Sequence, residues 1–175
     1  MKRFFALLLI CALLLAACGA DKNAPNTIRD GKTLSELTET VRSQFCEEYG
    51  AEEIVAMPMP VDRTYLSDML GIASEDVAET AGWISMSIAH ADAFFAVRAA
   101  EGRADAVTQA LADHARALTA QYEVYPAEGA LERARAARVL QKGDYAFFIC
   151  VGAGEDPDCG AQVQDTIDRI DALFN

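Results

Sequence analysis

Few side chains in this sequence are suited to acid–base or metal chemistry, because it contains only two histidines, His90 and His114. His114 falls between Leu111 and Leu118 on the apolar stripe of a helical pattern, where a histidine is more often a packed residue than a base or a ligand. Zinc is held by three or four His, Cys or carboxylate side chains at characteristic spacings, which the sequence lacks. We therefore predict no metal site, no cofactor and no catalytic residue.

Serine and cysteine nucleophiles need an activating partner, and the usual spacings for such a pair are absent. The sequence contains no Gly-x-Ser-x-Gly and no Ser-x-x-Lys motif. The glycine-rich segment Gly152–Gly154 precedes acidic residues, which would repel a phosphate group. One enzymatic alternative stays open, a hydrolase of the cell envelope that uses scattered carboxylates with His114 as its base. This alternative requires His114 to lie in an open cleft with a perturbed pKa.

Three further groups of residues have a structural explanation that we prefer to a functional one. The acidic run Glu155–Asp158 has oxygen ligands for calcium, but it lacks the Asp-x-Asp-x-Asp-Gly spacing and suits the start of a helix. A basic cluster is interpreted as a solvated face rather than a site for an anionic polymer or lipid. It consists of Arg133, Arg135, Arg138 and Lys142. Four methionines are expected to pack in the core rather than to bind copper. They are Met57, Met59, Met69 and Met86.

Three cysteines fall within the predicted folded domain. Cys150 ends a predicted strand and Cys159 begins a predicted helix, so the two could meet across the short acidic loop between them. We predict a disulfide between Cys150 and Cys159, with three free thiols as the alternative. Cys46 lies off the apolar stripe of its helix and is expected to stay reduced.

A fourth cysteine, Cys18, follows a segment with the features of a signal peptide. Lys2 and Arg3 precede the apolar run 4–17, which is shorter than the roughly 20 residues of a membrane-spanning helix. The sequence Leu-Leu-Ala-Ala-Cys that ends at Cys18 resembles the bacterial lipobox, in which the cysteine thiol is linked to diacylglycerol. We therefore predict a lipoprotein signal peptide over residues 1–17 and a lipid anchor on Cys18. The domain would then lie on the extracytoplasmic face of the cell membrane.

The remaining chain divides into a tether and a single domain. Residues 18–32 are polar, contain Gly, Pro and Asn, and show no hydrophobic period, which predicts a flexible tether. Residues 33–175 form the predicted domain, with a helical part over 33–82 and a ββαββα part over 83–175. The composition supports one globular domain, since 52% of the 175 residues are hydrophobic.

Local patterns predict the elements of an α+β fold. A capping box at Thr33 starts a helix that ends at Gly50, and shorter helices follow over 64–70 and from Ser74 to near Gly82. Two predicted hairpins, over 83–97 and 138–151, are each followed by a helix. We expect a two-layer sandwich in which a four-stranded antiparallel sheet carries helices on one face. The N-terminal helices would cover an end of the sheet or its other face.

The charge balance excludes one class of partner. Fifteen Lys and Arg against 27 Asp and Glu give a net charge of −12, and nucleic-acid affinity depends on basic residues that neutralise phosphates. We therefore expect no nucleic acid partner. The prediction for function is a non-catalytic binding or interaction module of the cell envelope, whose partner is an unidentified envelope protein or polymer.

The order of several short motifs resembles the domain-of-unknown-function 4358 family. The matching segments are Leu70–Ile72, Glu75–Val77, Phe94–Val97, Tyr122, Tyr125–Pro126 and Lys142–Tyr145. The resemblance covers roughly residues 34–151 and implies a small outer-face lipoprotein of a Gram-positive bacterium, with no assigned activity. It supplies no catalytic residue. This chain departs from the family pattern in having Cys150, Cys159 and an Asp-Pro-Asp-Cys insertion before the last helix.

Overall fold

The computed structural model of the protein describes residues 27–154 and 157–175. The predicted signal peptide and lipidation site Cys18 lie outside the described residues, as do Glu155 and Asp156 of the acidic run. Within the described ranges the chain forms five α-helices and one five-stranded antiparallel sheet. The helices are α1 (Leu34–Tyr49), α2 (Arg63–Leu70), α3 (Ala104–Val124), α4 (Ala130–Ala136) and α5 (Cys159–Ala172). The strands are β1 (Pro58–Pro60), β2 (Val77–Ser85), β3 (Ala93–Ala99), β4 (Arg138–Lys142) and β5 (Tyr145–Cys150).

The strands lie in the order β1-β2-β3-β5-β4, which confirms the α+β class and the antiparallel sheet. The predicted count of four strands is wrong, because Pro58–Pro60 pairs with the end of β2. Proline cannot donate a backbone hydrogen bond, and an edge strand tolerates it because one side of that strand needs no partner. Because of its two prolines, this short strand was not predicted from the hydrophobic periodicity of the sequence.

The helix predicted from Ser74 to near Gly82 is also wrong. A single 3-10 turn, Ser74–Asp76, leads directly into β2. Thr80 and Gly82 pair with Val97 and Phe95 of the central strand β3. Glu75 and Asp76, which suggested the start of a helix, lie in this turn. The residues after them pair with β3, and this pairing outweighs their local preference for a helix.

Both faces of the sheet are covered by helices, so the fold has three layers rather than two. On one face Phe95 and Phe148 pack beneath α2, α3 and α4. On the other face Phe94 and Phe147 pack with Phe45 of α1 and with α5. The position of α1 on this second face agrees with one of the two placements expected for the N-terminal helices, whereas the expectation that α5 lies on the same face as α3 is wrong. In β3 and β5 the side chains that point to either face of the sheet are mostly apolar, so both faces of these strands have to be buried.

The ends of α1 follow the prediction. Thr33 Oγ1 accepts a hydrogen bond from the Glu36 amide at 3.2 Å, and Glu36 accepts one from the Thr33 amide at 2.8 Å. This reciprocal pair satisfies two of the amides that a helix start leaves without partners. Gly50 ends the helix in the left-handed conformation, as expected for a helix C-terminus.

Residues 27–32 belong to the folded domain and not to the predicted tether. Ile28 is buried and forms an isolated bridge with Phe174, and the Arg29 amide donates to Leu173 O at 2.8 Å. Phe174 also packs on Tyr145, with ring centroids 5.4 Å apart. Because Tyr145 begins β5, this contact fixes Thr27 near the β4–β5 turn. The other end of the sheet is where β5 ends.

The close crossing of β2 and β3 generates a prediction about Gly82. Its φ of +109° is unfavourable for other residues, and a Cβ there would lie 2.3 Å from Phe94 O. Gly154 has a comparable φ of +97° but open space around it. We expect Gly82→Ala to lower the free energy of unfolding by about 1–3 kcal/mol more than Gly154→Ala. Equal losses in chemical denaturation would contradict this packing.

Candidate functional site

A cleft lies at the end of the sheet where β2 ends, β3 begins and β5 ends. The loop 86–92 crosses this end and carries the exposed residue His90. His90 borders three cavities, of about 640, 360 and 230 Å³. We call the three together the cleft. Small-molecule sites in proteins commonly enclose about 300–1,000 Å³, so the larger two cavities are of that size.

The floor of the cleft holds a buried ion pair between Asp92 and Arg133. Asp92 immediately precedes β3, and Arg133 lies in α4. Arg133 Nε is 3.1 Å from Asp92 Oδ1, and the two side chains are only 14% and 7% exposed. Two charges removed from water in this way are stable only when they are paired and hydrogen-bonded.

Hydrogen bonds from this pair connect four segments of the chain. The Ala56 amide donates to Asp92 Oδ2 at 3.3 Å. Arg133 Nε and Nη2 donate to Gly152 O at 3.2 and 3.0 Å. The pair thus joins the segment before β1, the loop before β3, helix α4 and the loop after β5. A Cβ on Gly152 would lie 2.9 Å from Arg133 Nε and from Cys159 Sγ, so a larger residue here would displace at least one of these side chains.

The electrostatics of Asp92 are dominated by its burial. Burial raises the pKa of the Asp92 carboxyl, and the Arg133 guanidinium and the Ala56 amide offset only part of this effect. Asp92 Oδ1 receives no hydrogen bond from any described residue. Although Arg133 Nε lies close to this oxygen, its hydrogen bond goes to Gly152 O. Asp92 Oδ1 is therefore held by its ion pair with Arg133 rather than by a hydrogen bond.

His114 lies beside the smallest cavity and is mostly buried. Its ring packs against Phe148, with centroids 5.1 Å apart, and burial lowers the pKa of the imidazole. The His114 ring thus packs on Phe148, but it also borders a cavity of the cleft and has a lowered pKa, so the choice between a packed residue and a hydrolase base stays a prediction. The hydrolase alternative required a perturbed pKa, and desolvation rather than a neighbouring carboxylate supplies it.

Cys46, Cys150 and Cys159 are free thiols in the structure, and the disulfide between Cys150 and Cys159 in oxidised protein stays a prediction. Cys150 and Cys159 do lie in one neighbourhood, on either side of Arg133. The Cys150 thiol donates to Arg133 O at 3.4 Å, and burial strongly raises its pKa. Burial also raises the pKa of the Cys159 thiol. Both sulfur atoms are thus held as neutral, packed thiols beside the ion pair.

Two of the other sequence interpretations are corrected in part. In the basic cluster, Arg135 and Lys142 balance nearby acids as expected, since they pair with Glu123 and Asp171. Arg133 departs from the expected solvated face, because it is mostly buried in the ion pair with Asp92. The methionines are not core residues as a group. Met57, Met69 and Met86 are exposed.

Of the acidic run, Asp158 caps the start of α5. It accepts a hydrogen bond from the Ala161 amide at 2.9 Å, which supports the helix-start interpretation for this residue. In the described part of the chain no group of three or more His, Cys, Asp or Glu side chains is arranged to hold a metal ion. No described helix has the length and apolar character needed to cross a membrane.

The pairing of Asp92 with Arg133 was not predicted from the sequence. The available signal was a carboxylate placed directly before the apolar run 93–97, where its burial is hard to avoid. Arg133 gave a weaker signal, as an arginine in an alanine-rich helix beside two buried alanines, Ala130 and Ala134. The contact joins residues far apart in the sequence, which a single sequence cannot pair.

The fold and the cleft define a small three-layer α+β domain. A family profile described as Domain of unknown function (DUF4358) matches residues 54–151, which is more than half of the chain. The chain belongs to this family, as its motifs predicted. The matched range contains the whole sheet together with Asp92 and Arg133. No curated protein and no solved structure matches the chain significantly.

The buried ion pair predicts unequal effects for two arginines of α4. Arg133→Met would leave Asp92 buried without its cation, so we expect a loss of about 3–5 kcal/mol in the free energy of unfolding. Arg135 pairs with Glu123 at the surface, and Arg135→Met should cost about 0–1 kcal/mol. Chemical denaturation of both variants measures the difference. A loss for Arg133→Met no larger than that for Arg135→Met would show that the pair is dispensable.

The burial of His114 predicts a stability loss in mild acid. Because its pKa in the folded state is lowered, the neutral form is favoured by folding. The contribution of neutral His114 to the free energy of unfolding is complete above the ordinary histidine pKa of about 6.5. It is lost as the pH falls through the lowered pKa of the folded state. His114→Leu should therefore lose less stability than the native chain between pH 7.5 and pH 5. Denaturation curves that shift in parallel for the two proteins would refute this.

Proposed function

We propose that the protein is a membrane-anchored lipoprotein of the extracytoplasmic face whose domain is a binding module, with the cleft around Asp92 and Arg133 as its binding site. The observation that carries this proposal is the buried ion pair on the cleft floor. Buried charges are costly, and they are often found where a fold has to present polar groups in a cavity. The lipid anchor on Cys18 is the second element of the proposal and rests on the lipobox-like sequence.

The cleft has the physical character of a binding site. It combines cavities of suitable volume with a few convergent polar groups, namely His90, Asp92 and Arg133. Asp92 and Arg133 are held by contacts that join four chain segments, so the positions of these two groups are fixed before a ligand arrives. Preorganisation of this kind reduces the entropy that binding would otherwise cost.

The position of Thr27 supports an outward-facing cleft. The Asn175 amide donates to Thr27 O at 3.1 Å, and the neighbouring Phe174 packs near the β4–β5 turn. The cleft lies at the other end of β5. Strands β3 and β5 separate the two ends by roughly 20 Å. A chain anchored through Cys18 would therefore approach the domain from the end opposite to the cleft, which would leave the cleft facing away from the membrane.

The anchor is tested by following fatty-acid incorporation into two cysteine variants. Expressed in a bacterium that is fed a labelled fatty acid, the native chain should be labelled and should remain with the membranes. Cys18→Ala should lose the label completely. Cys11→Ala, which removes the cysteine inside the apolar run, should keep it. Label that persists in Cys18→Ala, or that is absent from the native chain, would contradict the proposed anchor.

A further inference from the structure

We infer that the end of the domain that carries the cleft docks a protein partner, through a segment of that partner in which apolar side chains are flanked by Lys or Arg. This inference rests on the proposed function, since it names the class of partner that the binding module would take. Two features of the described residues support it, the distribution of exposed apolar side chains and the charge around them. We call the exposed apolar side chains of this end the apolar patch, and its members are Met57, Met69, Met86, Ile88, Val124 and Tyr125.

The apolar patch contains every large apolar side chain that is exposed in the described part of the chain. These side chains are between 62% and 89% exposed. Single apolar residues scattered over a surface are ordinary, whereas a group of them at one place marks an interaction site. The loops at the opposite end of the sheet offer a direct comparison, because residues 100–103 and 143–144 there are Ala, Gly or charged residues. The exposed apolar surface is therefore confined to the end that carries the cleft.

Hydrogen bonds fix the backbone that presents the apolar patch. The Met86 amide donates to Met57 O at 3.1 Å, which joins the segment before β1 to the loop 86–92. Tyr122 Oη donates to Ile88 O at 3.0 Å and so joins this loop to the C-terminal end of α3. Met69 of α2 borders the same 230 Å³ cavity as Met86 and Ile88. Met57 itself has a φ of +50°, in the left-handed region that residues other than glycine rarely adopt. The fold therefore holds the apolar patch in place before a partner arrives, which lowers the entropy that docking would cost.

The position of the apolar patch in the anchored protein favours a protein partner over a lipid surface or a second copy. Residues 19–26 connect the proposed anchor to Thr27, which lies at the opposite end of the domain. The apolar patch would therefore face away from the membrane. Two copies in one membrane would point the same way, so their patches could not meet in the two-fold contact that is typical of dimers. The partner would thus approach from outside the membrane.

The charge around the apolar patch specifies the chemistry of the partner. Asp68 lies in α2 directly before a patch residue, and Glu128 and Glu132 line the 640 Å³ cavity beside the loop 86–92. None of these three carboxylates forms an ion pair with a described residue. Two arginines near them, Arg133 and Arg135, are already paired with carboxylates. The remaining exposed charge is negative, so Lys or Arg beside the apolar segment of a partner would be attracted and Asp or Glu repelled.

The partner class is tested with three matched peptides on the full chain anchored in nanodiscs of phosphatidylcholine. The peptides are acetyl-Lys-Leu-Phe-Leu-Lys-amide, its acidic counterpart acetyl-Glu-Leu-Phe-Leu-Glu-amide, and the polar basic peptide acetyl-Lys-Ser-Ser-Ser-Lys-amide. Because phosphatidylcholine carries no net charge, the bilayer does not select between the first two peptides by charge. NMR of isotope-labelled methionine methyl groups reports binding, since the apolar patch contains three of the five methionines. We expect the basic apolar peptide to bind at least about fivefold more tightly than either of the others.

Two double variants locate the site. Ile88→Ser/Tyr125→Ser removes exposed apolar area without emptying the core, since both side chains lie largely in water. It should weaken binding of the basic apolar peptide by about fivefold or more. The control Ile88→Val/Tyr125→Phe keeps an apolar side chain at both positions and should bind within about twofold of the native chain. Thermal unfolding of both double variants verifies that they fold like the native chain.

Three results would overturn the inference and leave the proposed function standing. The first is binding of the acidic or the polar peptide that is as tight as binding of the basic apolar peptide, and the second is equal binding by the two double variants. The third is a change of the methionine methyl resonances with protein concentration in the absence of peptide, which would identify a second copy as the occupant.

Two further results reach beyond the partner class. If a paramagnetic lipid in the nanodisc broadens the methyl resonances of the apolar patch, the patch contacts the bilayer, and the outward-facing cleft of the proposed function is contradicted as well. If none of the peptides shifts these resonances, the apolar patch is not a docking surface for such a segment. The lipid anchor is then judged only by the fatty-acid label on Cys18.

Discussion

The buried ion pair between Asp92 and Arg133 is the interaction on which the cleft depends. It is the point where the segment before β1, the loop before β3, helix α4 and the loop after β5 are connected by charge and hydrogen bonds. Backbone hydrogen bonds also hold two of these segments, because the Ser85 amide donates to Asp92 O at 2.9 Å and the Met86 amide donates to Met57 O at 3.1 Å. A buried pair contributes little net stability compared with apolar residues of similar size, but loss of one partner is costly. The pair therefore determines the arrangement of the segments more than the stability of the fold.

The sequence predicted the regular elements well where local signals and tertiary packing agree. The capping box at Thr33, the long helix α3 and the hairpin of β4 and β5 all lie where their patterns indicated. The errors occurred where a long-range contact outweighs a local preference. Residues 77–82 begin like a helix but pair along β3, and the proline-containing strand β1 exists only because β2 offers it an edge. The sequence showed that the side chains on both faces of β5 are apolar, and such a strand requires helices on both faces of the sheet.

The candidate site could be predicted only in part. Helical spacing was enough to place His114 among apolar side chains, as its contact with Phe148 shows. The role of Arg133 could not be predicted from spacing, because an arginine in a cluster of basic residues is usually exposed to solvent. Its burial arises because the loops around Asp92 and Gly152 close over α4. The pattern placed Cys150 and Cys159 in one neighbourhood, where both pack near Arg133. Spacing thus predicted which residues are near one another.

Amide hydrogen exchange in the native chain and in Arg133→Met tests most directly whether the ion pair organises the cleft. The account predicts faster exchange in residues 54–57, 86–92 and 151–154 of the variant, because these segments lose their shared partner. The hairpin of β4 and β5 should keep its native protection, since its hydrogen bonds do not involve Arg133. Exchange that stays at native rates in the three segments, or that rises equally in the hairpin, would show that the pair does not hold the cleft together.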